Sequence, residues 1–217
     1  MSRKEERLNV IIESGVVAVI RVSSADDLVN ICSALADGGI KAVEITMTSP
    51  GALEAISETT QVLNGKAIVG AGSVIDAETA RSCILAGAEF IVGPILDLDM
   101  VRLCNRYGKI VIPGAFSPTE ILTCWEAGVD VVKVFPATSL GPSFIKDVLG
   151  PLPQVKLMPT GGIDINNVSE YINAGAACVG VGSALVDKTI VHEKRWDDLT
   201  ERARQYVSAV KEARARV

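Results

Sequence analysis

Along the chain, short runs of β-branched and other apolar residues alternate with segments whose apolar positions recur every three to four residues. The first kind reads as buried strands: VVAVIR (16–21), KAVEIT (41–46), KAIVGA (66–71), EFIVG (89–93), KIVIP (109–113), DVVKVF (130–135), VKLMP (155–159) and ACVGVG (177–182). Between them the periodicity predicts helices near 25–37, 50–63, 76–86, 97–107, 117–127, 142–149 and 164–174, and a longer one at about 194–215. Ser49-Pro50, Asp76, Asp97, Ser117-Pro118 and Asp164 stand where helices should start. Glycine stands where they should end, in "ADGG", "LAGAEF", "EAGVD" and "NAGAA".

The recurring Ala-Gly before a strand resembles an internal repeat of one βα unit. With right-handed crossovers, eight such units close most naturally into a (β/α)8 TIM barrel. The expected fold is therefore one α/β domain over 1–217, with an extra helix at 3–13 capping the barrel's N-terminal end. The alternative is an open doubly wound sheet. It needs a glycine-rich turn after its first strand, and "RVSSAD" has none.

Composition narrows the chemistry. Hydrophobic residues are 48% and aromatics 4%, so the core is built from Val, Ile, Ala and Leu. A net charge of −5 gives no footprint for nucleic acid or an anionic membrane. The charged start MSRKEERLNV leads into no long apolar stretch, so neither a signal peptide nor a membrane span is expected and the cytoplasm is the expected location. The five cysteines show no CxxC spacing and read as reduced, buried thiols. The single histidine, His192, reads as a solvated loop residue, which excludes a His-rich metal site. Acid–base chemistry must then rest on carboxylate, lysine, tyrosine or water, and no metal or cofactor is expected.

Two ionisable residues interrupt apolar strands. Lys133 shares parity with Val131 and Phe135, and Glu44 shares parity with Ala42 and Thr46. Both can point into a barrel near its C-terminal mouth, where this fold carries its active sites. A structural ion pair would explain them as a stability feature. Burial favours chemistry instead: desolvation lowers a lysine's pKa, by as much as ~3–5 units when complete, and the free amine is the nucleophile of Schiff-base reactions.

"PTGGID" (159–164) and "GVGSAL" (180–185) follow the last two strands, the usual phosphate site of this fold. Gly161, Gly162 and Gly182 offer backbone N–H groups and Ser183 a hydroxyl, although each loop alone could be a mere short turn. Arg21 ends the first strand, where it could hold a carboxylate or simply face solvent. Ser73 in "GAGSVID" could bind the same carboxylate or serve its own turn.

"VEITMTSPGAL", "IVGAGSVID", "AGAEFIVGP", "VVKVFPA", "MPTGGI" and "VGVGSALV" together closely resemble the 2-keto-3-deoxy-6-phosphogluconate (KDPG) aldolases, grouped with the 4-hydroxy-2-oxoglutarate (KHG) aldolases. The resemblance runs in order from Val16 to Val186. It implies a class I aldolase, a carbon–carbon lyase acting on a keto acid and a phosphorylated aldehyde, working as a homotrimer without a cofactor. Lys133 would be the Schiff-base lysine and Glu44 the general acid/base. Thr46, Ser73, Pro94 and Phe135 would line the pyruvyl pocket, Thr160 would set stereochemical preference, and Gly161, Gly162 and Ser183 would hold phosphate. Some members carry a carboxylate-binding arginine where this chain has Thr48, and Arg21 is the residue able to take over. The rival readings are the galactonate-series aldolase, a phosphate-binding barrel epimerase or synthase without a covalent lysine, and a non-catalytic phosphosugar-binding barrel.

Overall fold

Every expected strand forms, shorter than its apolar run. The computed structural model describes residues 1–216. Its strands are β1 (Val16–Ile20), β2 (Ala42–Thr46), β3 (Ile68–Gly72), β4 (Phe90–Val92), β5 (Ile110–Ile112), β6 (Gly114–Ala115), β7 (Val132–Val134), β8 (Leu157–Pro159) and β9 (Val179–Val181). The helices are α1 (Arg3–Ser14), α2 (Leu28–Asp37), α3 (Ala52–Leu63), α4 (Ala77–Leu85), α5 (Leu98–Arg106), α6 (Pro118–Glu126), α7 (Gly141–Leu149), α8 (Val168–Asn173), α9 (Lys188–His192) and α10 (Trp196–Arg214).

All pairings are parallel, in the orders β5-β4-β3-β2-β1-β9 and β6-β7-β8. The result is an α/β fold whose parallel strands curl round as a half-barrel. Where one eight-stranded sheet was expected, two sheets form. They divide at Pro113, the residue between β5 and β6, whose carbonyl faces β7. Hydrogen bonds still cross the gaps: Lys133 N–H donates to Pro113 O at 2.9 Å, Ala177 N–H donates to Leu157 O at 2.9 Å, and Thr160 bridges to Gly180.

Strand alternation sorts the side chains into two apolar clusters. The larger lies between strands and helices. The smaller gathers Val17, Ala42, Phe90, Val92, Ile110, Ile112, Val131, Met158 and Cys178 with Leu8 and Ile11 of α1. Ala42 and Val131 belong to the second set, so Glu44 and Lys133, each two residues further on, face the same interior.

Asp76, Asp97 and Ser117 cap their helices as expected, each accepting from the backbone N–H three residues on. Ser49 and Asp164 do not. The residue before α3 is Gly51, in the left-handed region at φ 65°, and the Ser49 hydroxyl accepts from Val22 N–H instead. Asp164 accepts from the N–H groups of Asn166 and Asn167, a turn that delays α8 to Val168. The short α9 was not expected, since five residues carry too little periodicity to read. His192, expected in a loop, is its last residue. All five thiols are free and buried. Burial pushes those of Cys32 and Cys178 up to about 12, far from reactivity. No helix among the described residues is long and apolar enough to cross a membrane.

Candidate active site

Glu44 sits in β2 opposite Val19 of β1 and Gly70 of β3. Its exposure is 1%, and its Oε2 has no hydrogen-bond partner. The room for it comes from β3: a methyl group placed on Gly72 would run into Glu44 Oε1. Burial pushes the carboxyl above its usual range, and the nearby charges of Lys133 and then Arg21 pull it part of the way back. A carboxyl group whose affinity for its proton is raised, with one oxygen free of hydrogen bonds, is equipped for acid–base work.

Lys133 lies in β7 between Gly114 and Met158. Its exposure is 6%, and its Nζ stands 4.9 Å from the centre of the Phe135 ring. Electrostatic influence connects it to Glu44, but no salt bridge joins the two among the described residues. The bland expectation of a tight structural pair therefore does not describe this amine. It is a buried amine beside an aromatic ring, with a carboxyl group in electrostatic range.

Around the mouth the other expected residues fall into groups. Arg21 Nη2 donates to Ser73 Oγ at 3.3 Å, so the two carboxylate candidates stand together. Ser73 has φ 58°, a left-handed conformation that costs a non-glycine residue about 1–2 kcal/mol and marks a constrained position. Thr48 donates to Thr46 Oγ1 at 3.1 Å, so its hydroxyl is engaged within the β2 end. Pro94 and Phe135 line a cleft of about 290 Å³ with Ile95, Gly114 and Phe116. Neither Lys133 nor Glu44 lines that cleft; they lie deeper, enclosed by the strands.

Thr160 is 7% exposed and pairs with Gly180 of β9, which makes the loops after β8 and β9 neighbours. Gly161 and Gly162 have φ of 99° and 71°, conformations that turn the backbone sharply and favour glycine. Gly182 O accepts from Leu185 N–H and Val186 N–H, leaving Ser183 exposed at the tip of that turn.

Sequence reasoning missed several supports. Ser49 was read as a helix cap, and only tertiary burial reveals its place in a hydroxyl cluster with Thr46. Thr138 packs against Gly162, and Asn167 Nδ2 donates to Gly162 O at 2.8 Å. The "GGIDINN" stretch carries polar residues enough to suggest such a brace, but not its target.

Comparison with known proteins agrees with the geometry. The family model described as "KDPG and KHG aldolase" matches residues 8–202. A Haemophilus influenzae protein named 2-dehydro-3-deoxy-phosphogluconate aldolase is 33% identical over 200 residues, 92% of this chain and 94% of that one. An Escherichia coli protein named 2-dehydro-3-deoxy-6-phosphogalactonate aldolase is 33% identical over 170 residues, 78% of this chain and 83% of that one. The solved KDPG aldolase of Legionella pneumophila, with pyruvate captured as a covalent carbinolamine, superposes with a TM-score of 0.85 at 30% identity, covering 91% of this chain and 96% of that one. These relatives are aldolases, which are carbon–carbon lyases. With its buried lysine and glutamate on strands of that same fold, the chain belongs to the KDPG and KHG aldolase family.

Proposed function

We propose that this protein is a class I aldolase that reversibly cleaves 2-dehydro-3-deoxy-6-phosphogluconate to pyruvate and glyceraldehyde 3-phosphate. The observation that carries this reading is the Lys133 amine, buried in the interior within electrostatic range of Glu44 yet not ion-paired to it. The reading includes a closed (β/α)8 barrel, one domain over 1–217, with α1 as its cap. The hydrogen bonds that cross between the two sheets support it, as does the packing of Leu8 and Ile11 in the interior cluster.

The Lys133 amine attacks the C2 ketone and forms a carbinolamine. Glu44 passes protons, directly or through one water, so that the C2 oxygen leaves as water and the C2–N bond becomes a protonated imine. Glu44, as the carboxylate, then takes the C4 hydroxyl proton through the same route. The C3–C4 electron pair flows into the iminium, the aldehyde leaves, and an enamine remains. Protonation of the enamine at C3 and hydrolysis of the imine release pyruvate and restore the amine. Arg21 and Ser73 hold the C1 carboxylate through a charge-assisted contact. Gly161, Gly162, Gly182 and Ser183 receive the phosphate through backbone N–H groups and one hydroxyl. The same lysine chemistry serves cleavage of 4-hydroxy-2-oxoglutarate to pyruvate and glyoxylate.

Relatives named for both the gluconate and the galactonate substrates match at 33% identity, so the C4 epimer is the second reading. Pyruvate release from each epimer, coupled to NADH oxidation, tests the proposal. The gluconate-series substrate should be cleaved, and neither Lys133→Ala nor Lys133→Arg should turn over, since guanidinium keeps its proton. Wild-type turnover by Lys133→Arg would overturn the covalent mechanism.

A further inference from the structure

We infer that Ser49 is a positioning residue for the substrate carboxylate, acting through Arg21. This deepens the aldolase reading and rests on it.

The β1–β2 ladder ends at the pair Ile20–Ile45. Arg21 is the next residue, on the open mouth, with its guanidinium bound to Ser73 Oγ across the end of β3. What holds the chain beyond Arg21 is not backbone pairing. Val22 N–H donates to Ser49 Oγ at 3.2 Å. Ser49 is 4% exposed, and its own backbone is fixed by a hydrogen bond from its N–H to Thr46 O at 2.9 Å. Its Oγ also lies 3.3 Å from Thr46 Oγ1, which accepts from Thr48 Oγ1 at 3.1 Å. A hydroxyl cluster, buried at Thr46 and Ser49, thus extends the β1–β2 contact past the ladder and clamps Arg21 between Ile20 and Val22.

The cluster also explains why the clamp matters here. Thr48 brings no charge, and its hydroxyl is engaged with Thr46. The carboxylate is left to Arg21 and Ser73, whose joint aim depends on the direction of the chain at 21–22. A long guanidinium side chain on an unanchored loop would have to be ordered anew by each substrate, which weakens binding without altering the chemistry at Lys133.

The test is steady-state kinetics combined with pyruvate trapping by borohydride. Ser49→Ala should raise KM for the keto acid and the pyruvate concentration giving half-maximal trapping about tenfold, the usual effect of one lost hydrogen bond, with little change in kcat. Ser49→Thr, which keeps the oxygen, should restore binding. In an Arg21→Ala background, Ser49→Ala should add almost nothing, because the two act on one contact. Should the alanine variant not fold, Ser49→Cys carries the same test with a weak acceptor of similar shape. An unchanged KM in the Ser49 variants, or a full additive effect in the double variant, would overturn the positioning role alone. If Arg21→Ala itself leaves KM unchanged while trapping proceeds, the carboxylate assignment falls and takes the role of Ser49 with it.

Discussion

At the scale of the residue, Glu44 is the position where environment most changes chemistry. Its carboxyl is raised above the ordinary value of 4.5 mainly by burial. The folded state therefore holds a proton that the unfolded chain releases. The stability this contributes is complete below about pH 4.5 and is lost as pH rises through the folded value. Glu44→Gln is neutral at every pH. Its melting temperature relative to wild type should accordingly climb as pH increases above 4.5, while its kcat falls roughly 10²–10⁴-fold, the usual worth of a general acid–base group. Thermal melts across pH check the first effect and turnover the second. A constant melting difference would mean that the carboxyl is not raised.

At the scale of the element, β3 is shaped around that carboxyl. Gly72 stands opposite Thr46 and faces Glu44, and a side chain at Gly70 would meet the Phe90 ring. Gly72→Ala should leave the far-UV circular dichroism intact and cut kcat/KM at least 100-fold by displacing Glu44, an effect comparable with removing the group. Activity at the wild-type level would show that Glu44 works from elsewhere. Element scale is also where legibility divides. The interior parity of Glu44 and Lys133 could be read from sequence, because a strand's alternation is local and both sit among apolar neighbours. The two glycine loops were legible for the same reason. Ser49 and Asp164 were misread because the local signal for a helix cap is the same as that for a side chain recruited elsewhere. The parting of the sheets at Pro113 and the clamp on Arg21 depend on neighbours distant in sequence, which no short pattern encodes.

At the scale of the whole molecule, the resemblance implies a homotrimer, and we propose one here. Ile95 and Phe116 are 55% and 45% exposed beside Phe135 at the cleft, an apolar face suited to another copy of the chain. Sedimentation equilibrium should give about three times the 22.9 kDa chain mass, and Phe116→Asp should lower it. A monomer at micromolar concentration would contradict this. The proposed chemistry depends above all on a covalent bond between Lys133 and the keto acid. Borohydride reduction with pyruvate, followed by mass spectrometry of the intact protein and its peptides, tests it most directly. The expected result is a mass gain of one pyruvate less an oxygen atom, confined to the peptide containing Lys133 and absent from Lys133→Ala. A wild-type protein that stays unlabelled, or a label that persists in Lys133→Ala, would contradict it.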